Sequence, residues 1–110
     1  EIPESIKSLH QLEMFKLRRA NIKSMDVLCN LPNLKVITLN GNNIKQIPAQ
    51  IKHLNKLETL HLENNELTSL PESLLDLPNL STVYISGNPF PKDYIKQWRE
   101  NHTPAFVIKY

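Results

Sequence analysis

The chain of 110 residues contains few of the residues that characterise several common protein classes. Its one cysteine, Cys29, excludes a disulfide within the chain, which fits a reducing compartment or a bacterial source. The two glycines, Gly41 and Gly87, lie far apart, so the sequence has no glycine-rich loop for binding phosphate groups. No segment approaches the roughly 18 consecutive apolar residues of a membrane helix, and we predict no membrane insertion.

Neither sign of charge dominates the chain. Thirteen lysines and arginines are balanced by eleven aspartates and glutamates, which gives a net charge of +2. The basic residues are scattered, apart from Lys16, Arg18 and Arg19, and neither their number nor their arrangement indicates a nucleic-acid partner.

One pattern of apolar residues and asparagine is repeated along the chain at a fixed interval. It occurs first in full at Leu34, Ile37, Leu39, Asn42 and Ile44. It recurs 23 residues later at Leu57, Leu60, Leu62, Asn65 and Leu67, and again at Leu80, Val83, Ile85, Asn88 and Phe90. A further copy lies 22 residues before the first full unit, at Leu12, Phe15, Leu17, Ala20 and Ile22. A repeat of this length predicts a solenoid.

Each unit combines a strand pattern with a helical pattern. Leu60 and Leu62 alternate with polar residues, which predicts a short strand whose apolar side chains point into the coil. The second half, as in Ile47-Pro48 followed by Ile51, predicts a helical or 3₁₀ turn that begins after a proline.

The repeated asparagines, Asn42, Asn65 and Asn88, are predicted to be structural. An asparagine side chain offers both donors and an acceptor, so a column of them can satisfy backbone groups buried at the turns. Because Ala20 replaces asparagine in the first unit, we expect that coil to be locally irregular.

The spacing divides the chain into repeats over 1–88 and a cap over 89–110. The units are a partial one, 1–11, then 12–33, 34–56, 57–79 and 80–88 onward. Residues 1–11 match the second half of a unit whose strand is absent, which favours a truncated or processed array over a short capping helix.

The cap is predicted to be a helix over 92–101 and a final strand over 105–110. Trp98 lies on the apolar face of that helix, and we expect it to cover the last coil. Continuing the repeat spacing from Val83 and Ile85 reaches Phe106 and Ile108, which predicts that these two residues point inward.

These units resemble the leucine-rich repeat family, in particular its forms of 22–23 residues with IPxxI or LPxxL in the second half. The resemblance covers Ile2 to Phe90, and the end of the chain is similar to the C-terminal caps of intracellular members. It implies an α/β solenoid, a right-handed arc with a curved parallel sheet on the concave side and short helical or 3₁₀ turns on the convex side. It also implies a module that binds a protein partner through the inner face. Short arrays without cysteine caps look like repeat proteins of bacterial pathogens, which extends the resemblance to a bacterial, virulence-associated protein.

Eight side chains on the open face of the predicted sheet form the candidate partner-binding set. They are Lys16, Arg18, Thr38, Asn40, His61, Glu63, Tyr84 and Ser86. Tyrosine and arginine are common hot-spot residues, and a sheet of five strands is on the order of 20 Å wide, enough for part of an interface. The alternative for each residue is an ordinary solvated strand position.

Metal binding and catalysis are both disfavoured. His61 and Glu63 could supply two zinc ligands, but the other histidines lie on the convex side or in the cap, so we predict no metal and no cofactor within one chain. His61 and Ser86 could form a base and a nucleophile, but we expect two coils, about 10 Å, between them. We therefore predict no catalytic residues and no enzyme activity.

A structural role is the alternative function. The segment 105–110 is apolar and would leave an open strand edge, so an edge-paired dimer competes with the favoured monomer, as does assembly through metal sites shared between chains. The location remains open between the cytoplasm and secretion from a bacterium.

Overall fold

Each turn of the chain places one three-residue strand beside the strand of the previous turn. The computed structural model describes all 110 residues, and its five strands form one parallel sheet in chain order. The strands are β1 (Met14–Lys16), β2 (Val36–Thr38), β3 (Thr59–His61), β4 (Thr82–Tyr84) and β5 (Val107–Lys109). The molecule measures 39 × 29 × 17 Å, and the predicted solenoid with its parallel sheet is confirmed.

The return half of each coil is a 3₁₀ helix of five residues. These helices span Glu4–Ser8, Asp26–Asn30, Ala49–His53 and Glu72–Asp76. Pro48 and Pro71 immediately precede two of them with extended backbone, so each ring sets the chain direction without removing a helical hydrogen bond. The 3₁₀ helices lie side by side, the strands lie side by side, and the two groups meet through the side chains of the core between them. The sheet and the helices therefore form opposite walls, and no element lies over the outer face of the sheet.

The predicted alternation within the strands decides which side chains fill the space between these walls. Ile37, Leu60 and Val83 are completely buried at the centres of their strands, whereas their neighbours Thr59, His61, Thr82 and Tyr84 are only partly buried. The apolar residues of all coils join one continuous core. At roughly 25 cal/mol per Å² of apolar surface, this shared burial is the main force holding each coil against the next.

The last strand is shifted relative to the prediction. The pairs Met14–Val36, Val36–Thr59 and Thr59–Thr82 follow the repeat spacing, but Thr82 pairs with Val107 and not with Ala105, which the same spacing would reach. Ile108 therefore lies opposite Val83 instead of Ile85. The longer connection contains an α-helix in place of a 3₁₀ turn. Because side chains alternate along a strand, a shift by an even number of positions leaves the same side chains pointing inward. Phe106 and Ile108 are both buried as predicted.

The asparagine column connects each coil to the one before it. The Oδ1 atom of Asn65 accepts a hydrogen bond from the Ile44 N–H of the preceding coil at 3.0 Å. Its Nδ2 group donates to the carbonyls of Leu39 in the preceding coil and Leu62 in its own coil, each at 3.1 Å. Asn88 makes the equivalent bond to the Leu67 N–H at 2.9 Å.

This direction explains why Ala20 can stand where the other units have asparagine. Asn42 accepts hydrogen bonds from the N–H groups of Ala20 and Ile22, at 2.9 and 3.0 Å, so the turn of the first coil is satisfied by the second coil. The first turn is still irregular, as expected, at Asn21, whose φ angle of 56° has no counterpart in the later coils. The positive φ of Arg19 (53°) belongs to the regular turn, since the equivalent Gly41, Asn64 and Gly87 share it. The neighbouring Asn21 is exposed and does not replace the missing asparagine.

The C-terminal cap begins with the helix α1 (Tyr94–His102), which starts two residues after the predicted position and ends one residue later. Asp93 adopts a left-handed conformation (φ 66°) before it, which delays the helix start. Trp98 is 5% exposed and packs between the rings of His102 and Phe106, in the position expected of a residue that covers the last coil. The boundaries predicted between repeats and cap stay predictions.

Two polar contacts that tie this cap to the preceding coil were not anticipated from the sequence. The Tyr94 hydroxyl accepts a hydrogen bond from the Leu70 N–H at 2.9 Å. The His102 Nε2 atom contacts the Glu72 carboxylate of that coil at 3.3 Å, and its Nδ1 atom contacts the Trp98 carbonyl within α1 at 2.8 Å. The sequence places Tyr94 and Trp98 on one apolar helical face, but only tertiary packing decides which group forms a hydrogen bond with the tyrosine hydroxyl.

Candidate functional site

The strand register arranges the outer face of the sheet, here called the concave face, in three rows that cross the strands. The first row is Met14, Val36, Thr59, Thr82 and Val107. The middle row is Lys16, Thr38, His61, Tyr84 and Lys109. The third row follows the strands and contains Arg18, Asn40, Glu63 and Ser86, whose order is kept by backbone hydrogen bonds between successive coils. Apolar and small residues thus occupy one side, and polar residues the other.

An aromatic pair lies at the centre of the concave face. The rings of His61 and Tyr84 stack with their centroids 4.2 Å apart and their planes 4° from parallel. Parallel strands hold the two residues in direct register, so the stack joins equivalent positions of two successive repeats. Both side chains remain partly accessible, and they form a flat, amphipathic platform of the kind that protein interfaces favour.

Glu63 supports this platform from the third row. Its Oε2 atom lies 3.5 Å from His61 Nδ1, while its Oε1 atom is buried and receives no hydrogen bond from the chain. A buried carboxylate oxygen without a donor is costly. The centre of the concave face therefore carries an acceptor that is not satisfied within the molecule.

The β1 side of the face is basic. Arg18 donates its Nε–H to the Asn40 Oδ1 atom at 3.1 Å, which orients the guanidinium group along the third row. Lys16 is exposed in the middle row and has no salt bridge. The structure thus brings seven of the eight predicted residues to the accessible face, where they lie in two adjacent rows.

Thr38 differs from the prediction. Its side chain is on the predicted side of the sheet, but the residue is only 3% exposed. It pairs with Lys16 on one strand and with His61 on the next, and these longer side chains stand on either side of it. Thr38 therefore lies below the contact surface and cannot contribute much direct contact to a partner.

The predicted separation of His61 and Ser86 also needs correction. Because His61 pairs with Tyr84, the coil containing Ser86 is directly adjacent, not two coils away. The Ser86 side chain makes no hydrogen bond. Ser86 follows Glu63 in the third row, and the two coils are joined there by the Asn64 N–H, which donates to the Ser86 carbonyl. Distance between coils was thus the wrong reason for rejecting a base and nucleophile pair, although His61 and Ser86 are not hydrogen bonded.

Cys29 lies in the 3₁₀ helix Asp26–Asn30 and is 8% exposed. Burial, and to a smaller extent the nearby Asp26 carboxylate, raise the pKa of its thiol from 9.0 to about 12. The thiolate is the reactive form, so this cysteine is a packing residue at neutral pH.

Two further observations concern ligands and membranes. No three residues among His, Cys, Asp and Glu are placed together so that they could hold a metal ion. No helix in the chain has the length and the apolar character required to cross a bilayer.

Comparison with known proteins agrees with this architecture. The family model described as leucine rich repeat matches residues 32–90, more than half of the chain. A leucine-rich repeat protein of Leptospira interrogans is 28% identical, with a TM-score of 0.89, over 100% of this chain and 28% of that protein. No curated protein sequence matches the chain.

Two Listeria monocytogenes internalins have the same fold. One is 23% identical with a TM-score of 0.78 and is covered over 31% of its length. The second, internalin C2, is 22% identical with a TM-score of 0.78 and is covered over 45% of its length. The chain therefore spans less than half of each of these three solved structures.

Proposed function

Because the chain belongs to the leucine-rich repeat family, we propose that it is a non-catalytic module that recognises a protein partner through its concave face. Leucine-rich repeat folds commonly serve in protein–protein interaction, and solenoids present extended concave surfaces for that purpose. The observation that carries the proposal is the His61–Tyr84 stack, an accessible aromatic pair at the centre of an uncovered sheet.

The composition around this pair supports the same conclusion. Interfaces are enriched in tyrosine and arginine, and their strongest contacts cluster at the centre with a polar rim. Here Tyr84 is central, Arg18 lies on the β1 side, and Met14 and Val107 leave about half of their surface exposed at the ends of the first row. Five strands span about 20 Å, which is part of a standard interface.

Site-specific photocross-linking tests the location of the proposed contact. A benzoylphenylalanine placed at Thr82, on the concave face, should cross-link a bound protein in an extract of cells that naturally produce the chain. The same group at Gln50, exposed on the convex 3₁₀ helix, is the matched control and should give no such product. Equal cross-linking from both positions would refute the concave assignment.

Alanine variants test the aromatic pair itself. Tyr84→Ala should weaken binding of the cross-linked partner by roughly 30-fold, the effect expected for loss of a hot spot of about 2 kcal/mol. His53→Ala, on the exposed convex side, should leave the affinity unchanged. A Tyr84→Ala protein that folds normally and binds as tightly as the original would contradict the proposed site.

Assembly through β5 is the second candidate function. β5 is an edge strand, and Val107 within it and the adjoining Tyr110 are 52% and 61% exposed, which favours pairing with another strand. Light scattering after size-exclusion chromatography distinguishes the candidates. A mass of 12.7 kDa at high concentration supports the monomeric module, and twice that mass supports edge pairing. A dimer that forms only with Zn²⁺ and is reversed by a chelator would indicate metal sites shared between chains.

A further inference from the structure

Three cationic side chains on the concave face have no acidic partner within the chain. Lys16 and Arg18 are exposed on the β1 side, and Lys109 is exposed on β5 at the opposite end. None of the four salt bridges of the chain involves any of them. The hydrogen bond from Arg18 to the neutral Asn40 amide orients the guanidinium without neutralising it.

The concave face carries the whole charge excess of the molecule. Glu63 is the one carboxylate in the three rows, so three cations and one anion give this face a charge of +2. The net charge of the entire chain is also +2. The remaining ten basic and ten acidic side chains cancel over the other surfaces. When the excess positive charge of a protein lies on one face, the electrostatic field is directional, and such a field steers and selects partners.

The register fixes the spacing of these charges. Lys16 and Lys109 belong to the same row and are separated by four strand intervals, about 19 Å at 4.8 Å each. An extended peptide advances about 3.3 Å per residue, so roughly six residues would span the two lysines. The His61–Tyr84 stack lies between them in the same row.

The centre of the face, between the cations, limits what can lie there. The stacked rings of His61 and Tyr84 are partly accessible and are covered best by uncharged groups. The Glu63 side chain, also partly accessible, would repel a carboxylate placed beside the stack. The centre therefore suits an uncharged part of a peptide chain.

We infer that the partner offers an extended acidic segment, with carboxylates about six residues apart and uncharged residues between them. One acidic end contacts Lys16 and Arg18, the other contacts Lys109, and the uncharged middle packs on His61 and Tyr84. This inference rests on the proposed function and specifies the chemistry of the partner.

Selection from a phage-displayed library of random peptides on the immobilised chain tests this inference. The enriched peptides should be acidic, and their binding should weaken as salt is raised, because exposed charge pairs are screened. Affinities of the synthetic enriched peptides are then measured by fluorescence anisotropy. The variant Lys16→Glu with Lys109→Glu should bind them at least roughly tenfold more weakly, as expected for two opposed charge pairs of about 1 kcal/mol each.

A matched variant separates local charge from net charge. Lys52→Glu with Lys96→Glu changes two exposed lysines on the convex helix and on α1, and it alters the net charge by the same amount. It should leave binding of the acidic peptides nearly unchanged. An equal loss in both double variants would overturn the inference, because the effect would then come from overall charge.

The remaining outcomes distinguish this inference from the proposed function. Enriched peptides that are neutral or basic, yet lose binding in Tyr84→Ala, would overturn the acidic segment and support the concave recognition face. Peptides that bind equally well to Tyr84→Ala and to the variant Lys16→Glu with Lys109→Glu would overturn both the acidic segment and the concave recognition face. A single-stranded oligonucleotide that binds more tightly than the acidic peptides, and displaces them, would overturn the peptide assignment in favour of a nucleic-acid ligand.

Discussion

Replacing Asn65 by alanine should destabilise the solenoid through one identifiable group. The substitution removes the acceptor of the Ile44 N–H and the donors to the Leu39 and Leu62 carbonyls. Those carbonyls keep a second donor, because Asn42 also bonds to Leu39 at 2.8 Å and Asn88 also bonds to Leu62 at 2.9 Å. Only the Ile44 N–H loses its partner entirely.

The expected cost follows from that single orphan. A buried N–H without an acceptor costs about 1–3 kcal/mol, so Asn65→Ala should lower the free energy of unfolding by about 2 kcal/mol. Asn42→Ala should cost more, roughly twice as much, because Asn42 accepts from both Ala20 and Ile22. The partial exposure of Ala20 reduces this difference without reversing it.

Urea denaturation followed by circular dichroism measures both effects. With a denaturant slope of about 1–3 kcal/mol per molar, the Asn65→Ala midpoint should fall by roughly 0.7–2 M. Asn55→Ala is the control, because Asn55 is exposed and its side chain makes no hydrogen bond, and it should change stability by less than about 0.5 kcal/mol. An Asn65→Ala variant as stable as this control, or less stable than Asn42→Ala, would refute the role assigned to the Ile44 N–H.

Three other perturbations test the cap, a turn and the buried thiol. Trp98→Ala should cost about 3–5 kcal/mol and promote aggregation, since it uncovers the last coil; a variant that melts normally and stays monomeric in light scattering would contradict the cap assignment. Gly87→Ala should cost about 1–3 kcal/mol in urea titrations, because φ is +76° and the new methyl would collide with the Asn64 side chain; an unchanged midpoint would rule out this strain. Cys29 should react with a chromogenic disulfide reagent at pH 8 only on unfolding, because its folded pKa is about 12. Because the unfolded thiol ionises near pH 9.0 and the folded thiol only near 12, this shift contributes stability below pH 9.0 that is lost as the pH rises toward 12. A free energy of unfolding that increases over this range would contradict the shift.

Much of the fold could be predicted because a repeat converts sequence spacing into spatial neighbours. Alternation within Leu57 to Leu62 indicated which residues face inward, and the structure confirms the resulting solenoid and sheet. The 3₁₀ turns that follow Pro48 and Pro71 were also predicted from the sequence. The C-terminal register was predicted incorrectly because the repeat interval does not apply across α1, whose nine residues lengthen the connection.

The candidate site was predictable as a set of positions but not as an arrangement. Strand alternation placed His61 and Tyr84 on the outer face, yet their ring stacking depends on rotamers and on the lateral approach of two coils. Thr38 followed the same alternation and is nevertheless buried, because two longer neighbours stand beside it. Whether these positions bind a partner stays a prediction.

The sequence by itself determined the coil, its core and the residues available to the outer face, since each of these depends on periodicity along the chain. Tertiary structure decided the features that depend on contacts between coils. These are the backward direction of the asparagine bonds, the burial of Thr38, the stack of His61 on Tyr84, and the row that places Lys16 and Lys109 at opposite ends. Such contacts join residues of different repeats that are distant along the chain, and only side-chain packing across the sheet determines them.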